Sequence, residues 1–311
     1  MDTQQIKSFL TAAKCLNFTE AASQLFISQP TLSRQILNME KELNMQLFIR
    51  RQKSVQLTPA GAFLYDKLSA LYHEYTDIIH MAQIKAAGYS DIFRIGILDG
   101  HDVNALFPNL MKNCFDKYPN VQISLTRGSF HVLTDSLYNG SVDLIFTLLF
   151  DIDKKEQLSF LKVKSLLDVI VMPKAHPLAS RDEISLADLA DEQIFLISPE
   201  DSSEAASRYL SYCHSLGFFP KFRYAPNLET EMLWAEAGLG IALINDYNIL
   251  AYHPGLKILP VREFQNNPDT DLVAAWHSGS QKPFLKNFLK ELKEAIRSWM
   301  TYNKFRKNKI S

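Results

Sequence analysis

The chain has 311 residues, enough for two or three domains, and its 47% apolar and 22% charged content is ordinary for a soluble globular protein. A formal net charge of −1 excludes a globally basic nucleic-acid-coating protein, so any contact with nucleic acid has to be local. Three scattered cysteines (Cys15, Cys114, Cys213) without a CxxC pair argue for reduced thiols. With no signal-like start and no apolar run of roughly eighteen residues, the expectation is a cytoplasmic protein without membrane contact.

Residues 1–60 carry seven Lys/Arg against four Asp/Glu, or +3, leaving −4 for the remainder. A first helix is expected over 4–16, with Phe9, Leu10, Ala13 and Leu16 facing inward. Thr19 is positioned to cap a second helix over 20–25, whose Ala21 and Ala22 are small enough for another helix to cross closely. Phe26 and Ile27 make a turn, and Ser28 caps a third helix in which Pro30 is tolerated because first-turn amides lack intrahelical partners.

In that third helix Leu32, Ile36, Met39 and Leu43 step by four, three and four onto one stripe. Pro30, Arg34 and Asn38 point to the opposite side, with Thr31, Gln35 and Lys41 nearby. Donors and acceptors of this kind match base edges in the major groove, so the pattern predicts a DNA-reading helix-turn-helix. Next, 47–57 changes period: apolar Leu47, Phe48, Val55 and Leu57 flank the cationic tip Arg50-Arg51-Gln52-Lys53. This reads as a two-stranded wing whose cations lie along phosphates.

Pro59 opens a helical run to about residue 87. Leu64, Leu68, Leu71, Tyr75, Ile78 and Ala82 form a heptad seam. A helix roughly 40 Å long is too long to bury that seam on a sixty-residue domain. Pairing with a second copy follows, the alternative being a helix that lies on its own C-terminal domain. His73 and His80 fall outside the seam.

Beyond 88–91 short apolar strands, expected over 93–98, 121–126, 144–149, 169–172, 194–197, 222–225, 241–244, 257–259 and 272–276, alternate with helices over 108–118, 203–216, 228–237 and 283–299. That alternation predicts open, mostly parallel sheets in two α/β lobes, with a small-molecule crevice at strand ends. Polar groups gather at such ends: Asp99, Gly100 and His101 after the first strand, Gly128 and Ser129 after the second, Thr147 in the third, then Ser198 and Asn227. Together they predict an effector pocket.

Enzyme chemistry finds little support. Gly238-Leu239-Gly240 lacks the third glycine of a dinucleotide fingerprint, and GxxxxGK[ST], HExxH and GxSxG are absent. Asp99 with His101, or Asp246 near Asn245, has no companion nucleophile or metal set, so neither catalytic residues nor cofactor nor metal is expected. A secreted solute-binding protein would need an export signal and no heptad helix. The Lys/Arg run after Lys286 reads as a solvated helix face with a frayed end.

The front of the chain strongly resembles the LysR-type transcriptional regulators. The match runs through Phe9, Phe18-Thr19, Ala21-Ala22, Leu25, Ser28-Gln29-Pro30, Leu32-Ser33-Arg34-Gln35-Ile36, Glu40, Leu43, Leu47-Phe48, Arg50, Leu57-Thr58 and Gly61. Looser matches follow at Pro108, Tyr118-Pro119, Gly140 to Leu144, His176 to Ala179 and Gly238 to Ala242. Departures are Asn44 for the usual glycine, Asn17 for Ser, Asn245 for Pro, and Asp99-Gly100-His101 in place of a small-hydroxyl pattern.

The resemblance implies a winged helix-turn-helix over 1–58, a linker and dimerisation helix over 59–88, and a two-lobed, periplasmic-binding-protein-like effector domain over 89–311. Lobe I would span about 89–161 and 269–301, and lobe II about 162–268, with crossings near 160–165 and 264–270. Double-stranded DNA, a small-molecule effector, a homodimer or homotetramer, and RNA polymerase are the implied partners. Ser28, Gln29, Pro30, Thr31, Ser33, Arg34 and Asn38 are then expected at bases or adjacent backbone, and Arg50, Arg51 and Lys53 at phosphates.

Overall fold

A computed structural model describes residues 1–51, 54–86, 88, 91–103, 106–152, 155–264 and 270–307. The chain divides into two compact units, Met1–Ala87 and Gly88–Ser311.

The first unit begins with α1 (Thr3–Cys15), closed by a capping box in which the Gln5 amide donates to the Asp2 carboxylate at 2.7 Å and the Asp2 amide to the Gln5 side chain at 2.8 Å. Helix α2 (Phe18–Gln24) starts two residues earlier than its sequence signal suggested. Its cap is Asn17, not Thr19: the Asn17 side chain accepts from the Thr19 and Glu20 amides. Both residue types cap well, and Asn17 wins because its extended backbone points its carbonyl oxygen at those two donors. Helix α3 (Gln29–Glu42) is capped by Ser28 as its sequence predicts.

Leu16, Phe26 and Asn44, each in the left-handed region, follow these three helices and turn the chain sharply. Phe9, Ala12, Ala21, Leu32, Ile36, Met39 and Leu47 form the sealed core, and Phe48 sets its ring edge-on to Phe9 and Phe18. Strands β1 (Phe48–Arg51) and β2 (Ser54–Leu57) pair antiparallel as the wing. Helix α4 (Pro59–Ala86) then crosses the core so closely that a Cβ on Gly61 would lie 2.1 Å from the Leu47 carbonyl oxygen.

The second unit holds two five-stranded sheets. The first comprises β3 (Asp91–Leu98), β4 (Val121–Gly128), β5 (Leu144–Leu148), β6 (Leu158–Ser165) and β12 (Asp271–His277), in the order β4-β3-β5-β12-β6. The second comprises β7 (Asp168–Pro173), β8 (Gln193–Ile197), β9 (Lys221–Ala225), β10 (Ile241–Asn245) and β11 (Leu256–Pro260), in the order β11-β7-β10-β8-β9. Helices α5 (Phe107–Lys117), α6 (Phe130–Tyr138), α7 (Leu149–Ile152) and α10 (Leu285–Lys307) accompany the first sheet. Helices α8 (Ser203–Ser215) and α9 (Leu228–Glu236) pack on the second.

The expected mostly parallel pairing is corrected. β3 runs parallel to β4 and β5, and β8 to β9 and β10, but β12 is antiparallel to β5 and β6, and β7 to β10 and β11. The cause is connectivity: β6 carries the chain out of the first lobe and β12 brings it back, so β12 enters its sheet from the opposite direction. Strand β6 was not foreseen. It extends the first lobe to Ser165, so the first crossing comes after the expected boundary at 161. Most of the second crossing, 265–269, lies outside the described residues.

Asp168, at the first crossing, gathers three donors. Arg208 Nη2 lies 2.9 Å from its Oδ2, Thr270 Oγ1 donates to the same oxygen at 3.0 Å, and the Tyr209 hydroxyl donates to Oδ1 at 2.6 Å. Arg208 also bonds Thr270 and lies over the rings of Phe150 and Tyr209. This clasp ties both crossing segments to α8.

Candidate DNA interface and effector cleft

Helix α3 turns its apolar stripe inward and leaves Gln29, Pro30, Thr31, Arg34 and Asn38 exposed, with Ser33 half-buried. The start of this face is internally ordered. Ser28 Oγ lies 2.8 Å from Thr31 Oγ1, and Gln29 Nε2 donates to Ser33 Oγ at 2.9 Å. Gln35 instead turns toward α1, accepting from the buried Ser8 hydroxyl at 2.6 Å, which fixes how α3 lies on its support.

The cationic tip is less uniform than its sequence implies. Arg50 stands 3.4 Å from Glu40 and 5.0 Å above the Phe18 ring, so it already braces the wing against α3. The other Glu40 oxygen accepts the Leu47 and Phe48 amides. Arg51 pairs with Ser54 at the end of β1, and Lys53 lies outside the described residues.

Along α4 the heptad seam splits. Leu64 and Leu68 pack on the core of their own domain, whereas Leu71, Tyr75 and Ile78 are 58%, 47% and 61% exposed. His73 and His80 have no described side-chain environment.

In the second unit a cleft with about 670 Å³ of unfilled space, measured out to its open mouth, lies at the C-terminal ends of β3, β5, β8 and β10. Asp99, His101, Ser129 and Asn227 line it as expected; Gly100, Gly128, Thr147 and Ser198 do not. Gly100 makes a tight turn that only glycine fits: its φ is +73°, and a Cβ there would fall 2.2 Å from Leu228. The Gly128 carbonyl oxygen accepts the Asp99 amide, Thr147 is sealed inside β5, and Ser198 closes a turn by accepting the Glu200 amide. The sequence did not single out Phe130, Phe150, Asp201, Tyr209, Glu231 or Asn248, all of which line the cleft. Asn245, a departure from the family pattern, lines it too.

His101 is sealed in the floor. Asn245 Nδ2 lies 3.1 Å from its Nε2, and the Tyr247 amide, donating to Asn245 Oδ1, fixes that amide's orientation. Nε2 therefore accepts, so the proton sits on Nδ1 and is donated to the Asp99 carbonyl at 3.1 Å. Burial lowers the His101 pKa to about 4 and keeps the ring neutral. Burial also raises the Asp99 carboxyl; Arg127 opposes that shift, while Glu229 and Asp201 reinforce it. Glu231 on α9 is fully buried, neither carboxylate oxygen has a hydrogen-bond partner among the described residues, and burial pushes its pKa well above the usual range. Burial likewise raises the thiols of Cys114 and Cys213 to about 12 and about 11, making both poor nucleophiles.

Residues 3–62 match the bacterial regulatory helix-turn-helix protein of the lysR family, and residues 86–297 match the LysR substrate binding domain. The HTH-type transcriptional regulator AlsR of Bacillus subtilis is 25% identical over 93% of this chain and 94% of its own length. The Hca operon transcriptional activator HcaR of Escherichia coli is 28% identical over 96% and 99%. Among solved structures, CbnR, a LysR family transcriptional regulator, superposes with a TM-score of 0.66 at 16% identity, covering 95% of this chain and 99% of that one. Full-length CbnR complexed with target DNA gives 0.64, also at 16% identity, over 95% and 100%. The chain belongs to the LysR family and is a DNA-binding transcriptional regulator with an effector-binding domain, not an enzyme.

Proposed function

We propose that the chain reads a specific duplex sequence through the exposed face of α3. The observation that carries this is the opposition of Thr31, Arg34 and Asn38 to the buried Leu32, Ile36 and Met39 on one capped helix. Ser28, Gln29, Pro30 and Ser33 would hold the first turn against the adjacent backbone. Arg51 and Lys53 would meet phosphates, Arg50 joining them only by leaving Glu40. Residues 1–58 then serve as the DNA-binding domain, 59–88 as the dimerisation helix and 89–311 as the effector domain. Dimers paired through Leu71, Tyr75 and Ile78 would assemble further into tetramers and present RNA polymerase with a ligand-dependent arrangement at the promoter. A cytoplasmic location fits, and no helix among the described residues is long and apolar enough to cross a membrane.

A small molecule in the cleft would shift the arrangement only by its differential affinity for the two lobe positions. Arg34→Ala tests the base-reading role. A good bidentate base contact is worth ~1–3 kcal/mol of discrimination, so the variant should lose about ten- to a hundredfold on its preferred site and little on random DNA. Equal losses on both, in gel-shift titrations at fixed salt, would remove Arg34 from base readout.

A further inference from the structure

The cleft's chemistry narrows what it can hold. Among the described residues its charged and titratable wall consists of Asp99 and His101 after β3, Asp201 before α8, Tyr209 on α8 and Glu231 on α9, with no lysine or arginine in the lining. Arg127 lies behind Asp99, bonded to the carbonyls of Leu98 and His101. Arg208 lies behind the Phe150 and Tyr209 rings, its Nη2 on Asp168, with Nε and Nη1 unpartnered among the described residues.

Helix N-termini are the other common seat for an anion, and here the chain fills them itself. Asp201 reaches from the second lobe to accept the His131 amide in the first turn of α6 at 3.1 Å. Asn227 Oδ1 accepts the Thr230 amide at the start of α9, and Ser202 Oγ the Ala205 amide at the start of α8. What the cleft offers instead is an acceptor: Glu231, fully buried one helical turn beyond Asn227, with both oxygens unpartnered among the described residues. Phe130, Phe150 and Leu148 supply apolar surface to the same cleft from the first lobe.

We propose that the effector is a small primary amine, bound as its ammonium ion with the head on Glu231 and the hydrocarbon body against Phe130, Phe150 and Leu148. This rests on the reading that the cleft is the effector site. An unpaired carboxyl sealed from water holds its proton; an arriving ammonium stabilises the carboxylate, so each binding event releases that proton to solvent while the amine keeps its own. Asp99 from the first lobe and Asp201 from the second add attraction, and neutral His101 opposes nothing.

The test uses the full chain and size-matched pairs of probes, n-alkyl and arylalkyl primary amines such as phenethylamine against carboxylates such as 3-phenylpropanoate. Thermal shift and calorimetry at pH 7 and pH 8 are the readouts. Amines should stabilise the protein and carboxylates should not. Amine affinity should rise with pH, toward tenfold per unit where one full proton is released, and calorimetry in two buffers of different ionisation enthalpy should register that proton. Glu231→Gln should weaken the amine at least tenfold and abolish the pH dependence; the buffer comparison on the unmodified protein needs no variant to fold.

A protein that no amine of the series stabilises, an affinity unchanged in Glu231→Gln, or preference for the carboxylate overturns the amine assignment. Ser129→Trp, which places a large ring at a half-buried lining position, separates the two claims. Carboxylate binding lost in Ser129→Trp keeps the cleft as effector site and discards the amine. Probe binding retained in Ser129→Trp discards the cleft itself.

Discussion

His101 and Glu231 are two titratable side chains sealed in one cleft, and burial drives their stability contributions in opposite directions with pH. The folded-state pKa of His101 is lowered from 6.5 to about 4, so between those values the unfolded chain binds the proton and the folded one does not. Its contribution is complete above pH 6.5 and is lost as pH falls toward 4, by on the order of 3 kcal/mol. Glu231 is raised, so the folded state holds the extra proton and stability declines as pH climbs above its ordinary 4.5. Since the slopes oppose, the informative quantity is a difference. The advantage of the unmodified protein over His101→Gln should grow from pH 4 to pH 6.5 and then level off. All three tryptophans, Trp234, Trp276 and Trp299, lie in the effector unit, so urea unfolding followed by their fluorescence reports that unit alone. A constant gap across the range would mean that His101 is not held neutral.

At the level of elements, α4 serves its own domain and, on the proposed reading, a second copy, and its seam divides accordingly. Leu64 and Leu68 root the helix on the winged-helix core, while Leu71, Tyr75 and Ile78 project beyond it. Replacing Leu71 and Ile78 together by Glu should therefore leave the helical signal of the first unit intact and dissociate the oligomer. Each side chain lost from an apolar interface removes about 1.5–3 kcal/mol, which for two is on the order of a hundredfold or more in dissociation constant. Sedimentation equilibrium checks it, and an unchanged mass would assign the seam elsewhere. Helix α3 was legible because its cap, its proline and its stripe all agree. The Asn17 cap was not, because Asn17 and Thr19 are both good caps two residues apart and only the backbone decides. Strand β6 was hidden by its place at a sheet edge, where Lys162 and Lys164 break the apolar run.

Across the whole molecule, the two-lobed architecture was readable from alternating strand and helix patterns, but the strand directions were not. They follow from where the chain crosses between lobes, and no local pattern encodes that. The cleft was half legible for the same reason. Asp99, Ser129 and Asn227 sit at strand ends and helix starts, positions that sequence marks. Glu231 sits inside a helix between Glu229 and Glu236, where a carboxylate reads as solvent-facing, and only the fold of the second lobe turns it inward. Tyr209→Phe probes how the lobes are fastened. Removing the hydroxyl that donates to Asp168 should cost the effector unit about 1.5–3 kcal/mol in the same fluorescence-detected unfolding, the usual range for a hydrogen bond to a charged group. A neutral result would show that the other contacts of Asp168 suffice.

The Tyr209 ring forms part of the cleft wall while its oxygen grips the joint through which the chain passes from lobe to lobe. On the proposed reading, a molecule that settles against that ring touches the very side chain whose oxygen holds the joint, so contact and fastening are opposite ends of a single phenol.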